Sequence, residues 1–393
     1  MRKYMESMEK GLIALLKSSI LQQPEMLPEG FDLEQAYPMV KKHHMASLIF
    51  DGANRCGISA QEPIMQKLFQ SYYKALRVSE GQLRALKKLF AAFEENGIDY
   101  MPLKGCNMKS LYPAPELRMM GDADILIRME QYEKIRPILQ NLGFEEKQET
   151  DHELVWQSKG LYLELHKRLI PSYNKDLSPY FGDGWKLARP MGGCRYGMKP
   201  EEEWIFLFTH FAKHYRDGGI GCRHVVDLWV YLRSHPELDQ AAVKQTLGEL
   251  QLLEFYENIL DLIEYWFHDG PGSEKLEYIS EYIFSSGSWG AGSSRVLSRT
   301  VRDSNHALPG VSGRMLYIWQ VLFPPVDLLK DKYTVLKKHP WMLPLVWLVR
   351  PFYKVIFEWK TLKSQQKNLE ALSEDNMENR RKLLNYVGLD YNF

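Results

Sequence analysis

Leu12, Leu15, Leu16 and Ile20 recur at helical spacing and predict a helix near the start of the chain. Pro24 and Pro28 end that pattern. Apolar periodicity predicts two more helices, over Leu33 to Asn54 and Pro63 to Lys74. A clearer one runs from Glu80 to Asn96, with Leu83, Leu86, Phe90 and Phe93 as its stripe. Ser79 is placed to cap it, Gln82 completes a capping box, and Gly97 stops it. The period then changes. Ile98 to Leu103 reads as a short strand, Lys104-Gly105 as a turn, and Cys106 to Leu111 as a short helix. The loop Tyr112-Pro113-Ala114-Pro115 leads through Arg118 into an apolar strand around Gly121 to Ile127. Glu130 to Leu142 is a helix stopped by Gly143, with Pro137 expected to kink or break it. Leu154 to Ser158 and Leu161 to Leu169 alternate around Lys159-Gly160 as a hairpin.

Pro171 to Pro200 is rich in glycine, proline and aromatics and reads as loop or linker. Helices follow at Glu201 to Tyr215, Cys222 to Arg233, Gln240 to Leu250, Leu253 to His268 and Glu274 to Phe284. Ser285 to Ser294 reads as a mobile Gly/Ser-rich loop. Helical segments return from Gly313, and Lys363 to Asn385 is a charged helix. No internal repeat is evident. The order of elements predicts an α+β protein in four regions: N-terminal helices over 1–78, a mixed core over 79–170, a linker over 171–200, and a helical region over 201–393.

The central strand carries the most informative chemistry. Side chains alternate along a strand, so Asp122 and Asp124 share one face while Ala123, Ile125 and Ile127 point into a core. Two carboxylates on one face repel each other, and a bound cation relieves that cost. Hard oxygen ligands of this kind suit Mg²⁺ held together with substrate phosphates. The bland reading is a strand end with two solvated acids. In the hairpin, Leu161, Leu163 and Leu165 share one face, and Tyr162, Glu164 and His166 share the other. Lys104-Gly105 ends a strand and opens a helix, which presents N–H groups and a positive dipole end to an anion. Turn, acid pair and third acid in that order form a phosphate-handling constellation.

Composition narrows the partners. Of 393 residues, 45% are apolar and 25% charged, an ordinary globular balance. Fifty basic residues offset fifty acidic ones, which argues against nucleic acid as the principal partner. Cys56, Cys106, Cys194 and Cys222 form no Cys-x-x-Cys pair, so a zinc or disulfide framework is not expected and a reducing cytoplasm fits. The apolar run Leu12 to Leu16 is too short for a secretory signal, and no membrane span is expected.

The run Met101-Pro-Leu-Lys-Gly, then Tyr112-Pro113, Arg118, Gly121-Asp-x-Asp-Ile-Leu and Leu163-Glu-Leu-His resembles the uncharacterised nucleotidyltransferase family of the DNA polymerase beta-like superfamily. Glu201 to Asp227, with His210, His214, Arg223 and Asp227, is also similar to that family. The resemblance implies a small mixed sheet flanked by helices. It implies transfer of a nucleoside monophosphate from an NTP, ATP being the expected donor, with release of pyrophosphate. Asp122, Asp124 and Glu164 would then hold Mg²⁺ or Mn²⁺, and Glu164 would also serve as base. Lys104, Gly105 and Arg118 would meet the nucleotide. Family members are often bacterial, and the acceptor, a small molecule or a protein, is undefined. The superfamily's turn is Gly-Ser. Here it is Lys104-Gly105-Cys106, with no hydroxyl, so Lys104 would have to supply charge instead. That departure sustains a second reading, a nucleotide-binding or protein-interaction module without transferase activity.

Other candidates stay open at this level. Arg118 either neutralises phosphate or holds its loop through a salt bridge. His210 and His214, four apart on one helix, have no glutamate between them and no third ligand for zinc, so a cleft-lining role is the plainer one. Arg223 and Asp227 are either a helix pair or part of the cleft with His166. His43-His44 point in different directions and suit a surface or core-edge role. Trp341, Leu345, Leu348, Phe352, Ile356 and Trp359 run at helical spacing with Lys337, Lys338, Arg350, Lys354 and Lys360. Within 340–360 they form either a membrane-surface helix or, more plainly, a core helix with a basic exposed face.

Overall fold

A seven-stranded mixed sheet in a computed structural model carries the region where the acids lie. The structure describes residues 5–172 and 174–287, and beyond them 296–298, 300–301, 312–324, 326, 329, 333–357, 366, 368–370 and 372–389. Two compact units emerge. One comprises Met1–Lys213 and Ile220–Ser288, the other His214–Gly219 and Trp289–Asn392.

The first unit opens with helices α1 (Ser7–Leu21), α2 (Leu33–Lys42), α3 (Ala46–Arg55) and α4 (Pro63–Glu95). Helices α1 and α3 meet at Gly52, where a Cβ would lie 2.0 Å from the Leu15 carbonyl oxygen. Two expected boundaries move. The helix expected over Leu33 to Asn54 is broken between α2 and α3, where His44 takes a left-handed φ of 53°. His43, expected at the surface or core edge, is fully buried there, while His44 is exposed. Conversely, the helices expected at Pro63 and Glu80 are one. Ser79 caps nothing; it is buried in mid-helix, and Gln82 reaches out to donate to the Met120 carbonyl at 2.9 Å. The stretch from Ala75 to Glu80 has no proline, and its residues continue a helix without cost.

The sheet follows: β1 (Tyr100–Pro102), β2 (Ala123–Ile127), β3 (Glu145–Glu149), β4 (Glu153–Gln157), β5 (Tyr162–His166), β6 (Arg189–Gly192) and β7 (Arg195–Gly197). Their order is β3-β4-β5-β2-β1-β7-β6. Strand β2 pairs parallel with β5 and antiparallel with β1. The short helix α5 (Gly105–Met108) follows β1, and α6 (Tyr132–Asn141) follows β2. Pro137 does not end α6; it sits inside the helix on the exposed side, where the bond it cannot make is left to water. One face of the sheet packs Ala123, Ile125, Leu154, Trp156, Leu163 and Leu165 against Leu86, Leu89 and Phe93 of α4 and Ile135 and Leu139 of α6. The expected period-two alternation on β2 and β5 is therefore what builds this core.

The segment 171–200, expected as loop or linker, instead holds the short helix α7 (Ser178–Phe181) and the hairpin β6–β7, which extends the sheet beside β1. Pro190 is tolerated because β6 is an edge strand. Helices α8 (Pro200–Asp217), α9 (Cys222–Ser234), α10 (Gln240–Glu249), α11 (Leu253–Phe267) and α12 (Glu274–Ser286) follow as the pattern predicts. Most of the expected Gly/Ser loop, and residues 363–365, 367 and 371 of the expected tail helix, lie outside the described residues.

In the second unit, helices run over Gly313–Leu322, Leu343–Phe357 and Glu374–Tyr386. Leu343–Phe357 is not the core helix expected. Trp341, Leu345, Leu348 and Phe352 are exposed, Phe352 by 72%. Trp359 and Lys360 lie outside the described residues. No helix among the described residues is long and apolar enough to cross a membrane.

Candidate active site

Opposite its apolar side, the sheet carries the acids. The parallel register of β2 and β5 sets Asp124 directly across from Glu164 and Leu126 across from His166. The antiparallel register of β4 and β5 adds Glu153 across from His166. Ligand atoms of Asp124, Glu164 and His166 lie within 4.8 Å of one another. Asp122 does not join that group. It precedes β2, which begins at Ala123, so strand alternation does not govern where its side chain goes.

Asp124 is almost fully buried and heavily engaged. Its Oδ1 accepts from Lys104 Nζ at 2.7 Å and lies 2.8 Å from His166 Nε2. Burial pushes its carboxyl up, but Lys104 and His166 outweigh that and hold it well below the usual carboxylate range. Lys104 responds in kind: Asp124 more than offsets the downward pull of burial and raises the ammonium. Burial and the nearby Lys104 charge pull His166 down, which favours the neutral imidazole, and its buried Nδ1 has no hydrogen-bond partner among the described residues. Among the described residues, Glu164 has no lysine or arginine partner, and His166 Nε2 lies 3.8 Å from its Oε2. Burial, then Asp124, Asp122 and Glu153, raise it to about 8. Burial and Asp124 raise Asp122 likewise. The cluster thus holds more negative charge than Lys104 offsets. Glu153, which sequence reasoning missed, pairs with His152 at 3.0 Å. Its signal was present in the hairpin register, two positions before Val155, which faces Glu164.

The turn differs from a plain anion cradle. Helix α5 is only four residues long, and the N–H groups of Cys106 and Asn107 already donate to Leu103 and Lys104 carbonyls at 3.0 Å each. Lys104 adopts φ 43° and ψ −113°, a conformation that L side chains rarely take. Gly105 also gives Arg118 room: a Cβ there would lie 2.8 Å from Arg118 Nη1 and crowd it. Burial pushes the Cys106 thiol up to about 12, so no second anion sits at the turn.

Arg118 makes the salt bridge that was one of its two readings. Its Nε and Nη2 donate to the two carboxylate oxygens of Asp227 at 3.1 and 3.0 Å. The Tyr112 hydroxyl donates to the same carboxylate at 2.6 Å. Asp227 therefore does not form the helix pair with Arg223. Arg223 Nη1 donates to the Met119 carbonyl at 2.6 Å, and its Nε is buried without a partner. His210 and His214, on α8, belong to no group of three potential ligands among the described residues.

No curated protein and no solved structure matches the sequence. Residues 29–268, more than half of the chain, match the model of the uncharacterised nucleotidyltransferase family, and the protein belongs to that family.

Proposed function

We propose that the protein is a metal-dependent nucleotidyltransferase. It moves a nucleoside monophosphate from an NTP, with ATP the expected donor, to a hydroxyl on a small molecule or protein, and releases pyrophosphate. Family membership supports nucleotidyl transfer in general. The observation that carries the finer reading is the parallel pairing that sets Glu164 across from Asp124 on the polar face of the sheet.

The donor set suits a hard divalent cation such as Mg²⁺ or Mn²⁺, because among the described residues Glu164 and Asp122 are acids without a lysine or arginine partner, beside an Asp124 held low. Held by Asp124 and Glu164 with Asp122 nearby, such an ion supplies charge neutralisation for the triphosphate and the departing pyrophosphate. The chain's own groups do the rest. Lys104 is a partly buried ammonium just beyond β1, available to a phosphate oxygen when Asp124 is otherwise neutralised. Glu164 takes the proton of the acceptor hydroxyl. The acceptor oxygen bonds to the α-phosphorus as the α–β bridging bond breaks, and the electron pair leaves on pyrophosphate. Arg118, held by Asp227, positions the turn beside Gly105.

A specific observation favours the rival reading, a nucleotide-binding module: Lys104 already neutralises Asp124, and the turn offers Cys106 where a hydroxyl would stand. The test is pyrophosphate release and label transfer from each NTP, with Mg²⁺ or Mn²⁺, in the presence of small acceptors or lysate. Asp124→Asn and Glu164→Gln are expected to lower turnover by roughly a hundredfold or more, the scale of losing preorganised charge stabilisation. NTP binding with no pyrophosphate from any acceptor would leave the module reading standing.

A further inference from the structure

The second unit leaves two apolar stripes in solvent. On Gly313–Leu322 the exposed large side chains are Met315, Ile318, Trp319 and Leu322. On Leu343–Phe357 they are Leu345, Leu348, Val349 and Phe352. Each set follows the i, i+3, i+4, i+7 spacing of one helix face. Leu348 and Phe352 are 68% and 72% exposed, and Trp319 62%, far beyond isolated surface apolar residues. The two helices do not cover these stripes with each other. They join through other positions: Trp347 Nε1 donates to the Pro324 carbonyl at 2.9 Å, Phe323 packs edge-on against Trp347 at 5.3 Å, and Arg350 Nη1 donates to the Val321 carbonyl. A small core of Leu329, Leu336 and Val346 uses the inward face.

Charge identifies the occupant. Residues 332–357 contain no aspartate or glutamate but carry Lys332, Lys337, Lys338, Arg350 and Lys354. Gly313–Leu322 carries Arg314 and no acid. Exposed tryptophans accompany the apolar residues, Trp341 by 72%. Indole favours the boundary between hydrocarbon and water, and lysine and arginine favour anionic headgroups. A second copy of the chain would set one segment that is basic and acid-free in sequence against another, so self-association is opposed by like charge. We propose that these two helices form a docking surface for an anionic lipid bilayer, lying in the headgroup plane with their apolar stripes in the acyl boundary. The surface is independent of what the acid cluster does.

The test is co-sedimentation of the full chain with vesicles of phosphatidylcholine alone and of phosphatidylcholine mixed with phosphatidylglycerol. Binding is expected to the mixed vesicles, to weaken with added salt, and to fall at least tenfold in the double variant Leu348→Glu, Phe352→Glu. As a check that does not depend on that variant folding, lipids brominated in the acyl chain should quench tryptophan fluorescence of the unaltered protein, and less so in Trp341→Phe. Equal binding to neutral vesicles would overturn the anionic assignment. Absence of both sedimentation and quenching would overturn the docking surface itself. So would a concentration-dependent dimer that disappears in the double variant.

Discussion

Lys104 shows how one residue can hold strain and function together. Its backbone sits at φ 43°, ψ −113°, where a Cβ is crowded and glycine is at ease. Such conformations cost about 1–3 kcal/mol and persist only where surroundings impose them. Here the side chain is fixed by Asp124 at 2.7 Å, and the backbone is fixed by the Cys106 and Asn107 hydrogen bonds of the turn. The consequence is a reversal of the ordinary ranking. Lys104→Ala loses the ion pair and keeps the strain, whereas Lys104→Gly loses the ion pair and releases it. Lys104→Gly is therefore expected to unfold at higher denaturant than Lys104→Ala, by about 1 kcal/mol or more after glycine's own entropic cost. Chemical denaturation of the two variants decides it, and an alanine variant as stable as the glycine one would show the turn unstrained. That Asp124 and Glu164 each take the polar face of their strand was legible in the sequence, because alternation fixes which face a strand residue takes; their register across β2 and β5 was not. The engagement of Lys104 with Asp124 was not, because it depends on a backbone conformation that no local pattern announces.

At the level of elements, helices and strands with an apolar period were legible and those without one were not. Strand β3 is Glu-Glu-Lys-Gln-Glu, wholly exposed, and owes its existence to pairing with β4 at the sheet edge rather than to any pattern of its own. The break between α2 and α3 is similar: its cause lies in distant elements. His43 Nε2 is 3.0 Å from the Phe284 carbonyl at the end of α12, and its Nδ1 accepts from the Cys222 N–H at the start of α9. One neutral imidazole thus ties three helices. Burial is the main cause of its pKa falling from 6.5 to about 4. Below 6.5 the unfolded chain takes up a proton there that the folded chain refuses until about pH 4. Stability from His43 is therefore complete above pH 6.5 and is lost as pH falls towards 4, with an upper bound of about 3 kcal/mol. Urea unfolding across that window should show a shallower dependence on pH in His43→Gln than in the parent. Identical slopes would mean that His43 does not contribute to acid sensitivity.

Across the whole first unit, the acids of the sheet depend on a helix about a hundred residues away. Segment 112–120 leads into β2, and α9 holds it: Asp227 takes both Arg118 and Tyr112, and Arg223 takes the Met119 carbonyl. This joins the sheet to the helical region that the family match also spans. Sequence reasoning singled out Tyr112, Arg118, Arg223 and Asp227 but left Arg223 and Asp227 open between a helix pair and the cleft, since helical spacing is visible in a sequence and a contact across 109 positions is not. Burial makes the link a matter of matching. Arg118 is 7% exposed and Asp227 8%, so each is tolerated because the other is present. Removing one partner leaves a buried charge uncompensated at a cost of about 3–5 kcal/mol, whereas replacing both with apolar residues of similar size is often near neutral. Asp227→Leu is accordingly expected to lose about that much stability, and Arg118→Met a comparable amount. The double variant should be no less stable than the better single one. A double-mutant cycle by urea unfolding measures the coupling directly. Additive losses would show that the pair is not a unit. The double variant also separates stability from function. If it folds normally yet transfers nucleotide poorly, the pair sets the geometry of the turn; if transfer is restored with stability, the pair only holds the fold together.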